Sequence, residues 1–189
     1  SWVGTERWGY MPNLLLGGAS KHRGGHQFGV DGLAGGATVC KPGTGYAPCN
    51  NASHWFQVLV SGLRSGGNGV FAMDVTSPST VKPLWEYNDV NMGEVWGAPI
   101  VARPNVSTSG VVNPVWTAFV PGGYSLVDTR GNSFYALQVT GDASTRLIKK
   151  WTFSPGIKEN IATTPTVSFV GKTATPDAVV FPGTSGRVY

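Results

Sequence analysis

The sequence predicts an all-β protein, a β-propeller built from four-stranded blades, and three observations carry that reading. Only 13% of the 189 residues are charged, about half the usual share of roughly 25%, while 27 are Gly and 13 are Pro, an alphabet in which few long helices can be written. The apolar residues are Val, Phe, Trp and Tyr, in short runs broken by Gly, Pro, Asn and Ser, as strands and turns read. The stretch "NGVFAMDV", Asn68 to Val75, also returns sixty-four residues later as "NSFYALQV", Asn132 to Val139. A chain long enough for one domain with a real core is thus writing the same strand more than once.

Taken in order, the elements extend the repeat on both sides. "RWGY", Arg7 to Tyr10, reads as a tryptophan-x-aromatic strand of the same kind as "LWEY", Leu84 to Tyr87, and "KWTF", Lys150 to Phe153. "FQVLVSG", ending at Gly62, recurs as "WTAFVPG", ending at Gly122, and as "AVVFPG", ending at Gly183. "APIV", Ala98 to Val101, recurs as "TPTV", Thr164 to Val167. Each unit therefore reads as a Pro-containing strand, an apolar strand ending in Gly, the "GVFAMDV" strand and the Trp-x-aromatic strand. Phe71, Met73 and Val75 alternate with Val70, Ala72 and Asp74, so the strand needs a neighbouring sheet on each side. Radial stacking of such sheets is a propeller.

The chain divides into the end of one blade and its connection (1–29), a blade (30–97), a second blade (98–163) and the first half of another (164–189). That is a partial arc of about three blades, since propellers close with four to eight. Trp8, Trp85 and Trp151 read as inter-blade packing residues, and Gly62, Gly122 and Gly183 as turn glycines. The first full unit is the longest because it contains "CKPGTGYAPC". Cys40 and Cys49 there read as a disulfide in an oxidising compartment, with two free buried thiols as the alternative.

Charge and motifs narrow the function. The formal charge of +4 is scattered apart from "SKHRGGH", Ser20 to His26, so no clustered basic face points to nucleic acid. No apolar run reaches the eighteen or so residues of a membrane helix, and the chain opens at Ser1 with no signal peptide, which reads as a removed signal or an excised piece. "NDVNMGE" places Asp89, Asn91 and Glu94 close together as weak candidate metal ligands, but loops between strands use Asn and Asp for turns, and that reading is preferred. His22 and His26 have a zinc-like spacing, yet Gly24 and Gly25 between them argue for a surface loop. His54 has no acid and nucleophile partners in sequence, and neither G-x-S-x-G nor H-E-x-x-H occurs, so no catalytic residue is assigned. "GLRSGGNG", Gly62 to Gly69, lacks the lysine and helix of a phosphate loop and reads as a hairpin turn. Asn51 and Asn105 match the short glycosylation pattern, which recurs by chance.

"HQFGVDG" (His26 to Gly32), "VLVSGLRSGGNGVFAMDVTSP" (Val58 to Pro78), "LWEYNDVNMGEVWGAPIV" (Leu84 to Val101) and the closing "GTSGRVY" resemble the C-terminal propeller of the PilC/PilY family of type IV pilus biogenesis factors and tip adhesins. The resemblance runs from about Glu6 to Tyr189. It implies a bacterial protein, extracellular or associated with the outer membrane at the pilus tip. It implies no catalysis, minor pilins or the pilus tip complex as partners, and contact with a host or abiotic surface. The family's calcium loop of alternating Asp residues would fall at Thr166 to Val179, where Asp177 is the only acid. That site is not carried over and no cofactor is expected in this segment; if calcium regulates the parent protein, its loop lies outside this segment or has been lost here. Two alternatives stand beside it. A quinone-dependent dehydrogenase propeller usually pairs adjacent cysteines, whereas eight residues separate these. A glycan-binding or scaffolding propeller unrelated to pili is the other.

Overall fold

The computed structural model describes residues 4–18, 24–41, 49, 51–108, 110–126, 129–153, 159–169 and 175–189. Strands β1 (Ala34–Cys40), β2 (Trp55–Gly62), β3 (Val70–Asp74) and β4 (Lys82–Tyr87) form one antiparallel sheet in chain order. A second sheet repeats that order with β5 (Ile100–Ala102), β8 (Thr117–Pro121), β9 (Ser133–Gln138) and β10 (Leu147–Thr152). Between its first two strands stands a separate hairpin, β6 (Asn105–Thr108) and β7 (Val111–Pro114). A third, two-stranded sheet pairs β11 (Thr166–Ser168) with β12 (Ala178–Val180). The leading strands β1, β5 and β11 lie side by side, so the sheets fan out from a common axis as successive propeller blades.

The period-two pattern explains the stacking. Val70 and Ala72 of β3 join Val58 and Val60 in a layer whose other wall is Ala118, Val120, Tyr135 and Leu137 of the second sheet. From the opposite face of β9, Phe134 and Ala136 pack with Phe119 against Ile161, Phe181, Val167 and Val179 of the third. Each strand thus sends alternate side chains into alternate layers. Phe134 is the centre of the second layer, stacked on Phe181 at 4.0 Å and on Trp151 at 4.7 Å.

The first sheet's remaining face is covered by the N-terminal segment, and here the structure corrects the sequence reading. Residues 5–12 form no strand; they lead into a four-residue helix, Asn13–Leu16. Tyr10, Leu14 and Leu15 lie on Leu63, Phe71 and Met73. Trp8, expected between blades, is instead on the surface with 45% of its area exposed. What fastens the segment is Glu86 on β4, whose carboxylate accepts from the Tyr10 hydroxyl (2.8 Å), the Asn13 and Leu14 backbone N–H groups (2.7 and 2.9 Å) and the Asn13 amide (3.0 Å). Burial opposes the charge, yet these four donors outweigh it and hold Glu86 below the ordinary carboxylate value, while the Tyr10 hydroxyl is pushed up to about 12 by burial and by Glu86. Glu159, fully buried before β11, is gripped in the same way by Ser185, through its backbone N–H (2.9 Å) and its hydroxyl, and by the Tyr189 hydroxyl (3.0 Å). Burial again works against the charge, and the Ser185 and Tyr189 donors with the Arg187 cation bring it below its ordinary value.

Trp85 bridges the first two blades. Its indole N–H donates to the Val139 carbonyl at 2.9 Å, and the Arg146 guanidinium lies 4.7 Å over its ring. Trp151 stacks within its own sheet, facing the third. The glycines expected in turns have a different role: Gly62, Gly122 and Gly183 are outside the set of positive-φ residues. Each is a point of close approach instead. A Cβ on Gly122 would fall 1.9 Å from the Ser133 carbonyl oxygen, one on Gly62 2.5 Å from the Val95 carbonyl, and one on Gly183 2.4 Å from the Glu159 carboxylate.

Replacing Trp85 by Ala removes a half-buried ring and one hydrogen bond, and should lower unfolding free energy by about 3 kcal/mol, read from the urea midpoint. Gly122→Ala should cost more than about 3 kcal/mol or abolish folding, whereas Gly36→Ala, whose new methyl would meet nothing nearer than the Val58 carbonyl at 3.6 Å, should stay within about 1 kcal/mol. Glu86 and Glu159 have folded values below their unfolded 4.5, so the stability they contribute is complete above 4.5 and is lost as pH falls through the lower folded values. The melting temperature should therefore drop across that acid interval, and Glu86→Gln should make the drop shallower.

Candidate partner-binding face

The start of β1 and β5, the ends of β2, β4 and β8, and the β2–β3 and β8–β9 turns all lie at one end of the sheets, with the blade-to-blade connections crossing there. Backbone pairing knits this end together. Gly93 donates to Gly122, Glu94 and Tyr124 exchange bonds of 2.9 and 2.8 Å, and Gly123 donates to Ile161. The connection entering the second blade is thereby stitched to that blade's own β8–β9 turn.

An open cleft of about 510 Å³ lies on this end, walled by Asn68, Glu94, Trp96, Tyr124, Leu126 and Arg130. A second hollow of about 450 Å³ shares Trp96 and Tyr124 with it and reaches Ala162 and Thr163. Trp96 keeps 36% of its surface exposed and Leu126 keeps 69%. The two rings meet edge to face at 6.4 Å, and the Trp96 indole N–H donates to Glu94 at 3.1 Å. Over Trp96, at 3.9 Å, sits the guanidinium of Arg64, itself 3.7 Å from Asp31. Arg64 has φ 49°, the one positive value for a non-glycine among the described residues. A left-handed arginine is a strained element of about 1–2 kcal/mol, and strain of that kind gathers at binding sites. Aromatic edges, a carboxylate and guanidinium groups suit holding a partner by stacking and hydrogen bonds.

The candidate metal ligands separate. Asp89 Oδ1 and Asn91 Oδ1 both accept from the Lys150 ammonium, each at 2.6 Å, while Glu94 faces Trp96 in the cleft. Asp89 also accepts from the Asn91 backbone N–H (2.8 Å) and the Tyr135 hydroxyl (3.2 Å). Burial raises its proton affinity, but Lys150 and the other donors bring its carboxyl below the ordinary value, and burial beside Asp89 pushes Tyr135 up. A lysine sixty-one residues from Asp89 thus supplies the positive charge at two oxygen atoms that the sequence reading placed in a turn. Among the described residues no three His, Cys, Asp or Glu side chains gather as a metal site.

Cys40 and Cys49 are joined in a disulfide at the opposite end, with Cα atoms 6.1 Å apart. The loop it closes, 42–48, lies outside the described residues, as do His22, most of Ser20 to His26, and residues 170–174 of the stretch compared with a calcium loop. His26 is exposed against Phe28, His54 sits in a single 3-10 turn before β2, and Asp177 donates its backbone N–H to Ser168. The residues that sequence reasoning missed are Trp96, Tyr124 and Arg64. Trp96 and Arg64 stood inside the quoted motifs "EVWGAP" and "GLRSGG", where two large side chains among small ones were the available signal.

No family model matches the chain. It is 32% identical over 163 residues to a type IV pilus biogenesis factor PilY1 homolog of Xylella fastidiosa (strain Temecula1), covering 82% of this chain and 10% of that protein. It is 36% identical over 110 residues to the type IV pilus biogenesis factor PilY1 of Pseudomonas aeruginosa (strain UCBPP-PA14), covering 53% of this chain and 9% of that one. The crystal structure of the Pseudomonas aeruginosa PilY1 C-terminal domain, a β-propeller, matches 98% of this chain and 34% of that chain with a TM-score of 0.68 at 24% identity, a likeness of fold. The chain spans about a tenth of the curated relatives it matches. The likeness of sequence carries the assignment: the chain belongs to the PilY1 family of type IV pilus biogenesis factors.

Proposed function

We propose that this chain is a non-catalytic propeller segment of a type IV pilus biogenesis factor, working outside the cell in pilus assembly and, at the pilus tip, in adhesion. The observation that carries the reading is the 32% identity across 82% of the chain to a protein named for pilus biogenesis. The cleft supports it in kind: its walls offer contact surface and hydrogen-bonding groups at an end where the sheets leave loops free to meet a partner. The partner class is a minor pilin or the tip complex, with a host or abiotic surface as the adhesive target.

The test is genetic. Deleting the parent gene should remove surface pili and twitching, and the wild-type gene should restore both. A strain carrying Trp96→Ala with Tyr124→Ala should make folded protein at normal levels yet bind its pilus partner about tenfold or more weakly, the loss expected when central aromatic anchors are removed. Normal piliation in the deletion strain would end the pilus reading. Full partner binding by the double variant would move the contact to another face.

A further inference from the structure

The strongest chemistry in the molecule lies outside the cleft, where three side chains from two segments meet. Asp89 and Asn91 belong to the connection after β4, and Lys150 lies in the middle of β10. The Lys150 Nζ is 2.6 Å from Asn91 Oδ1 and 2.6 Å from Asp89 Oδ1. An amine, a carboxamide and a carboxylate are the components of an amide exchange: a nucleophile, an acyl group with ammonia as leaving group, and an acid–base group between them.

The surroundings hold that set still and keep it partly dry. Asn91 is fixed on both sides of its side chain, its N–H donating to Asp89 (2.8 Å) and its carbonyl accepting from Gly131 (2.8 Å). The next residue, Met92, is fully buried in the layer between blades. Tyr135, also fully buried, donates its hydroxyl to Asp89, and its ring lies 5.7 Å from the Lys150 Nζ with the Tyr87 ring edge-on at 5.9 Å. The lysine and aspartate side chains retain 22% and 18% of their exposure. Reactants held this close and oriented by their neighbours gain a large effective concentration. A simple ion pair would need the carboxylate alone; the amide held at the same distance is what the pair does not require.

We propose that Lys150 and Asn91 become joined by an intramolecular isopeptide bond, formed by the protein itself with Asp89 as the acid–base group. The Asp89 carboxylate takes one proton from the Lys150 ammonium, leaving a neutral amine. Rotation about the Asn91 Cβ–Cγ bond turns the carbonyl carbon toward that amine, which attacks it, forming the Nζ–Cγ bond. Asp89 returns its proton to the amide nitrogen, and as the Cγ–Nδ2 bond breaks it takes the second proton of the attacking nitrogen and passes it to water. Ammonia leaves and is protonated in water. The five nitrogen-bound hydrogens of the ammonium and the amide become one on the new amide and four on ammonium, and no oxidant or reductant is involved. The product ties the connection entering the second blade to that blade's outermost strand, so the blade could not be peeled from its edge by force along the chain.

Peptide mapping of the full-length protein tests this directly. Trypsin does not cut at Lys82 or Arg103, each followed by proline, so Asn91 lies in the peptide 65–130, and a modified Lys150 begins the peptide 150–158 without being cut after itself. The expected species is these two peptides covalently joined through Asn91 and Lys150, lighter than their sum by one ammonia, absent from Asp89→Ala and Lys150→Arg variants. Separate peptides, cut after Lys150 and with unmodified Asn91, would leave an ion pair only and overturn the proposal. So would a loss of ammonia without the cross-link, which a cyclic imide at Asn68–Gly69 produces. The wild-type map decides the matter even where a variant fails to fold.

Discussion

The constraint on which the rest of the structure depends is that these sheets are apolar on both faces. An ordinary antiparallel sheet hides one face and wets the other, but Val70 and Ala72 of β3 are as buried as Phe71 and Met73 behind them. A large aliphatic or aromatic side chain left in water forgoes about 1.5–3 kcal/mol, so a sheet with two such faces is untenable alone and stable only between neighbours. The repeat in the sequence is the consequence. Where no sheet covers the first blade, the N-terminal segment does so with Tyr10, Leu14 and Leu15, and Glu86 satisfies the backbone donors that the irregular segment brings with it.

Fanning sheets from one axis creates a second demand. Near the axis there is no room for side chains, so backbone meets backbone. A Cβ on Gly35 would fall 1.8 Å from the Pro99 carbonyl oxygen where β1 meets β5, and the repeated strand-end glycines stand where a turn or connection crosses. The connections, in turn, carry polar groups into a crowded interior. Glu86, Asp89 and Glu159 answer this at three successive joints, each a carboxylate gathering several donors from segments far apart in the chain. Their energetic role is to keep the donors of the connecting segments paired, and the charge they carry is stabilised by those donors.

What was legible in the sequence is what the two constraints write locally. Alternation over five to eight residues and a recurrent Gly give strand identity, order and blade spacing, because both depend on neighbours within the same repeat. The β6–β7 hairpin was not legible: its run of Pro, Asn, Ser and Gly is loop chemistry, and its exposed Val111 and Val112 serve no layer that would enforce a pattern. "RWGY" misled for the opposite reason, since an aromatic pair spaced for a strand suits equally a segment draped over a sheet, with only Tyr10 turned inward. Asp89 and Asn91 were visible as oxygen ligands, but the cation they bind is Lys150, and nothing local in "NDVNMGE" announces a lysine from the far strand of the next blade. The left-handed backbone of Arg64 is likewise set by its neighbours, because "LRSGG" reads as a flexible turn until Trp96 and Asp31 are placed beside it.

The same constraints decide where recognition can occur. Sheet faces are consumed by packing and the axis by glycine contacts, which leaves the two ends and the outer edges. The end that carries the disulfide is tied by Cys40 and Cys49, with Trp55 packed edge to face on Trp116 of the second blade and donating to the Cys49 carbonyl. At the other end Trp96, Tyr124 and Leu126 border open space, and the backbone beneath them is fixed by the Glu94–Tyr124 exchange and the Gly123–Ile161 bond. Exposed aromatic groups on a backbone held that firmly lose little freedom when a partner arrives, and it is this low ordering cost, more than the area on offer, that makes a small cleft an effective contact.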